Sequence, residues 1–116
     1  WRSSIVPEMK SMGLLETFDE DGVPFVCYVN ECIGWERFLM AVWRETTVEP
    51  NSKGAFKVLE FALMKSLYSI VYDLFEKYIT DPSLNRLVLE CIKPFKKNKM
   101  YPFFLGYLRR KGFLLN

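Results

Sequence analysis

The sequence contains no histidine. That removes the commonest general base, the Ser/His and Cys/His nucleophile pairs, and histidine-ligated zinc. It also lacks a glycine-rich phosphate loop and a paired Cys-x-x-Cys. Its three cysteines form no even-numbered disulfide framework, which points to a reducing, cytoplasmic setting. Cys27 and Cys32 read as core thiols rather than ligands. No window approaches the roughly 18 uninterrupted apolar residues of a membrane span. Acids are missing from the last 26 residues: residues 91–116 carry seven bases and none of the 14 acids. The single acidic cluster, Asp19-Glu20-Asp21 before Gly22, reads as a solvated turn. Carboxylate chemistry stays open in principle, but no residue set argues for an enzyme, a metal or a cofactor.

What is present is apolar surface. Half of the 116 residues are hydrophobic and 16% aromatic, too apolar for disorder and enough for one core in one domain, residues 1–116. The chain opens on Trp1 and closes on Phe-Leu-Leu-Asn, which reads as a piece cut from a longer protein. Ala55 to Thr80 is the longest stretch without Gly or Pro. Leu59, Leu63, Leu67, Val71, Leu74 and Tyr78 recur in it at helical spacing. One helix of that length would span roughly 39 Å. The expectation is therefore an all-α, compact bundle of six to seven helices around one long central helix.

Shorter elements surround it. A first helix lies within residues 1–18, capped by Ser3 or Ser4 with Pro7 in its first turn; Gly13 leaves open two shorter pieces. Val23 to Ile33 has strand-like composition, but Phe25, Tyr28, Val29 and Cys32 form a stripe that favours helix. Trp35 to Glu45 presents Trp35, Phe38, Leu39, Val42 and Trp43 on one face. Thr46 to Gly54 is a loop. Asp81-Pro82 starts another helix, with Leu84, Leu87, Val88 and Cys91 as its buried stripe, and Pro94 ends or kinks it. Tyr101 to Lys111 forms the last helix, with Phe104, Leu105 and Leu108 inward and Gly112 as its cap.

Charge is distributed unevenly. Residues 1–90 hold nine bases against 14 acids, and residues 91–116 are +7, which suits an acidic partner. The competing explanation is a solvated rim with bases at helix ends, where the macrodipole favours them.

Several segments resemble the regulator-of-G-protein-signalling homology domain, a helical bundle of similar size. Leu14-Leu15 followed by DEDGVPFVCYVNE resembles the family's opening, with Phe25, Tyr28, Val29 and Glu31 in matching positions. WERFLMAV resembles the next helix through Phe38, Leu39 and Ala41, although the family's Trp is not matched. IVYDLFEKYI resembles a further helix. Tyr101, Pro102, Phe104 and Leu105 match the closing Tyr-Pro-x-Phe-Leu signature, the one specific piece. The course between Ile79 and Tyr101 is shorter than usual for the family, and the segment before Tyr72 is longer.

Members of the family that accelerate GTP hydrolysis use a Glu-Asn pair; here Cys32 follows Glu31, and Asn30 precedes it. The family's Asp and Arg around Tyr-Pro are here Lys99 and Phe103. The resemblance thus implies the fold without the activity. It also resembles the axin-like scaffold branch, which binds a partner's peptide; Asp21-Gly22 and Lys77 to Asp81 fit that branch.

The favoured expectation is a non-catalytic protein–protein interaction module of an intracellular signalling scaffold, needing no cofactor and binding another protein or an acidic peptide. Its candidate surfaces are Asn30, Glu31 and Gly34; Lys96, Lys97, Asn98, Lys99 and Tyr101; and Arg109, Arg110 and Lys111. The alternative is a GTPase-activating domain for a heterotrimeric Gα subunit. A third class is nucleic-acid binding, with Tyr101, Phe103 and Tyr107 as stacking candidates among the bases.

Overall fold

The computed structural model describes residues 5–16, 20, 22–29 and 35–115. Six α-helices occur among them, with no strand. They are α1 (Val6–Ser11), α2 (Trp35–Glu45), α3 (Lys53–Met64), α4 (Tyr68–Asp73), α5 (Asn85–Ile92) and α6 (Tyr101–Arg110). Short 3₁₀ turns cover Phe25–Tyr28, Pro82–Leu84 and Lys93–Phe95, and a π-helical turn, Leu74–Tyr78, continues α4. The molecule measures 43 × 27 × 22 Å. No helix among the described residues is long and apolar enough to cross a membrane.

The expected single long helix is instead two. After Met64 the chain turns at Lys65–Leu67, where Ser66 adopts φ +58°. Leu67 N–H donates to Ala62 O at 2.8 Å and Ser66 N–H to Leu63 O at 3.3 Å. These are the two bonds of a Schellman motif, with Ser66 at the position that usually holds Gly. A left-handed serine lets α4 fold back on α3. The faces predicted for the stretch survive the break, because Leu59, Leu63, Leu67, Val71 and Leu74 are all buried. Tyr78 is only partly covered.

α3 takes the central place that the long helix was expected to fill. Ala55, Val58, Leu59, Ala62 and Leu63 are buried, and α4, α5 and the Phe25–Tyr28 turn pack around it. Ser52 caps its start by accepting from Ala55 N–H at 3.2 Å. From α2, Phe38, Leu39, Val42 and Trp43 enter the core, as their spacing predicts. Trp43 Nε1–H also donates to Asp73 Oδ2 at 2.9 Å, tying α2 to α4.

Elsewhere the predicted elements are trimmed. α1 stops at Gly13, φ +76°, in a second Schellman motif: Leu14 N–H donates to Met9 O and Gly13 N–H to Lys10 O. Ser3 and Ser4, the proposed caps, lie outside the described residues. The described part of Val23–Ile33 holds one 3₁₀ turn, which buries Val26 and exposes Tyr28. Of the predicted stripe, Val29 is buried and Phe25 packs partly against the core, while Tyr28 turns outward. Asp81 does cap, accepting from Ser83 N–H at 3.0 Å, but it opens a 3₁₀ turn before α5 begins at Asn85. The helix therefore starts later and rotates its inner face. Val88 and Ile92 are buried, and Leu87 is 47% exposed. Cys27 and Cys91 are only half-buried; Cys32 lies outside the described residues.

A candidate interaction surface beside the last two helices

The described part of the predicted surface is built where α5 passes into α6. Pro94 leaves no N–H to continue the ladder, and the chain tightens into the Lys93–Phe95 turn. Asn98 then holds the loop. Its Oδ1 accepts from Met100 N–H at 2.8 Å, and its Nδ2 donates to the Tyr68 hydroxyl on α4 at 3.1 Å. Its backbone joins Phe95 O and Tyr101 N–H. The bond from Asn98, followed by one with Ser66, lowers the pKa of the Tyr68 hydroxyl. Asn98 shapes the loop; its side chain is spent on that task.

α6 is anchored by a ring cluster. Phe104 is fully buried, with Tyr72 at 5.6 Å, Tyr68 at 5.9 Å and Phe75 at 6.1 Å between centroids. Such edge-on arrangements suit the ring quadrupoles. Gly112, φ +98°, ends the helix in a third Schellman motif. Phe113 N–H donates to Leu108 O, Gly112 N–H to Arg109 O, and both Leu108 and Phe113 are buried.

With α6 fixed, a groove of about 340 Å³ opens between it and α5. Leu89, Tyr101 and Leu105 form its floor, and Lys93 and Lys96 stand on its rim. Lys97 and Lys99 are exposed on the same loop. Among the described residues none of these four lysines takes part in an ion pair.

The other three predicted bases lie elsewhere. Eight residues of helix, roughly 12 Å, separate Tyr101 from Arg109. Lys111 Nζ meets Glu76 Oε2 at 2.8 Å, and Arg109 donates to Leu115 O at 3.2 Å. The Arg110 guanidinium lies 5.8 Å from the Tyr107 ring centre. Tyr107 itself donates its hydroxyl to Glu76, which raises that hydroxyl's pKa. The +7 segment is thus two clusters at opposite ends of α6: one facing solvent, the other engaged with the fold. Asn30, Glu31 and Gly34 lie outside the described residues, so the structure brings together only the 96–101 group.

Sequence reading missed Leu89, which lies two residues beyond Leu87, the residue assigned inward. It also missed a second groove, on the opposite side of α5, lined in part by Phe56, Leu87 and Cys91. The signal for both was surplus: α5 carries more large apolar residues than one buried stripe requires.

Among the described residues no group of three or more His, Cys, Asp or Glu side chains is placed to hold a metal ion. The buried polar residue there is Thr46, whose hydroxyl donates to Val42 O at 2.6 Å. Comparison of the chain with protein-family models, with curated proteins and with solved structures finds no match.

Proposed function

We propose that the chain is a non-catalytic protein-interaction module, of the kind carried by signalling scaffolds, that grips an acidic, apolar segment of a partner protein in the α5–α6 groove. One observation carries the reading. An apolar floor is rimmed by lysines of a single sign that have no acidic partner among the described residues. A partner that covers Leu89, Tyr101 and Leu105 brings its carboxylates to Lys93 and Lys96. Apolar contact then supplies affinity, and charge supplies steering and register. The resemblance to the regulator-of-G-protein-signalling domain supports the same class, since its axin-like branch binds a partner's peptide, and Tyr101 and Leu105 of the matched signature lie on the groove floor.

Two other readings have less behind them. Of the nucleic-acid stacking candidates, Tyr101 lies in the groove floor and Tyr107 is engaged with Glu76 and Tyr72, leaving Phe103 alone fully presented, at 65% exposure. The GTPase-activating alternative rests on the resemblance only. Single-turnover GTP hydrolysis by a purified Gα subunit, unaccelerated at micromolar module, removes it.

The main test is selection from a displayed random peptide library. Wild-type protein should enrich sequences that mix acids with Leu, Phe or Tyr, and Lys93→Glu/Lys96→Glu protein should not retain them. Enrichment without acidic bias, or retention by the reversed-charge protein, overturns the reading.

A further inference from the structure

The groove on the far side of α5 is larger and differently charged. It measures about 380 Å³ along Lys53, Lys57 and Glu60 of α3 and Leu87, Glu90 and Cys91 of α5. It continues as a second hollow of about 330 Å³ that shares Glu60, Glu90 and Cys91 and adds Met64, Pro94 and Phe95. Leu87 is therefore beside the start of α3 and Phe95 beside its end, so the two helices run side by side in the same direction. The trough follows α3 from Lys53 to Met64, roughly 16 Å or three helical turns.

Its floor is apolar, and two large side chains on its lips, Leu87 and Met64, are 47% and 71% exposed. Hydrophobic residues scattered singly need no explanation, but a continuous apolar channel marks a contact surface. Its charges are ordered. Lys53 and Lys57 lie at one end; Glu60 and Glu90 lie at the middle, toward the other. The Lys57–Glu60 pair, at 3.8 Å with both side chains over 40% exposed, is weak enough in water to yield to a partner. Burial, then the charges of Glu60 and Glu90, raise the Cys91 thiol to about 11, which makes it a neutral, unreactive part of the floor.

We infer that this trough is a second docking site, for one amphipathic helix of a partner protein, about three turns long, with acids in its first turn and bases in its last. Apolar residues at i, i+3 or i+4, and i+7 would fill the hollows between α3 and α5. The acidic first turn would face Lys53 and Lys57, and the basic last turn would face Glu60 and Glu90. That charge order is also the one a helix prefers for its own dipole, so no partner has to be destabilised to fit. The occupant lies parallel to α3. The α5–α6 groove, with rim charges of one sign, selects acids without selecting direction; the trough selects direction.

The test uses two pools of displayed twelve-residue helical peptides with Leu, Ile, Met and Phe varied at the apolar positions. One pool carries acids first and bases last, and the other the reverse. On wild-type protein the acid-first pool should be enriched at least tenfold over the base-first pool. The preference should vanish on Leu87→Glu, an exposed position where folding is checked by circular dichroism. It should persist on Lys93→Glu/Lys96→Glu, which alters the other groove only. A Lys57→Glu/Glu60→Lys/Glu90→Lys protein should prefer the base-first pool. Equal enrichment of the two pools, or enrichment insensitive to Leu87→Glu, overturns the inference. So does loss on Lys93→Glu/Lys96→Glu with retention on Leu87→Glu, which would place the peptides in the α5–α6 groove.

Discussion

Gly54 sits in the first turn of α3, and a Cβ built there would lie 2.5 Å from the carbonyl oxygen of Gly22. In an exposed helix, alanine for glycine is worth about 1 kcal/mol of stability. Here the sign should invert, because the obstacle is backbone and the helix must move away from it, at roughly 1–3 kcal/mol. Gly54→Ala should therefore lower the urea midpoint. Asn51 is the second residue of this kind. It holds φ +58°, and its Oδ1 accepts from Thr80 N–H at 2.9 Å and Asp81 N–H at 3.0 Å. The α2–α3 loop is thereby fastened to the end of the π-helical turn. Asn51→Ala should cost about 1–2 kcal/mol, read as a lower melting temperature. Asn51→Asp keeps the acceptor and should cost less than half as much. The sequence marks Asn51 only as a loop residue; a partner some thirty positions away leaves no local trace.

At the scale of elements, α2 and α6 are legible because each meets its core along one continuous stripe, and α6 also ends on a strong signal. Gly112 and Pro102 punctuate α6, and four apolar positions of α2 share a face. α5 was legible in existence but not in rotation. A 3₁₀ turn between Asp81 and Asn85 changes the angle at which the helix enters, so Leu87 faces out and Ile92 in. The loop that the sequence singles out contributes Lys96 and Tyr101 to the lining of the α5–α6 groove. The groove behind α5 is marked in the sequence only by the surplus of large apolar residues on α5, because its other wall, α3, is distant along the chain.

The end of α6 carries a testable electrostatic element. Lys111, then Tyr107, donates to Glu76 and holds its carboxyl below the usual carboxylate range. A lowered folded-state value means that this contribution is complete above the unfolded value and fades as pH falls through the folded one. Carbon-detected NMR titration should find the Glu76 midpoint below that of a free glutamate, and Lys111→Met should move it upward. An unshifted midpoint in the wild type would dissolve the tether.

Across the whole molecule, the basic tail illustrates how far composition reaches. A run of seven bases without an acid suggests one patch, yet α6 lies between Lys96–Lys99 and Arg109–Lys111 and holds them at its opposite ends. One cluster repairs charge inside the fold and the other is presented. Counting charge gave the sign of the surface; only the path of the chain gave its extent.

Ser66 also sets how firmly the corner between α3 and α4 is held. Nothing in Lys65–Leu67 forbids α-helix, and a left-handed serine costs roughly 1–2 kcal/mol relative to the right-handed form. Were that corner to straighten, α3 and α4 would fuse into a rod, and the C-terminal half would be thrown outward to complete a neighbour. Exchange of identical halves is a low-cost route to a dimer. Ser66→Ala should enlarge a slowly forming dimer peak in size-exclusion chromatography at millimolar concentration, and Ser66→Gly should shrink it. In that arrangement the unbroken rod written in residues 55–80 would exist, shared between two molecules.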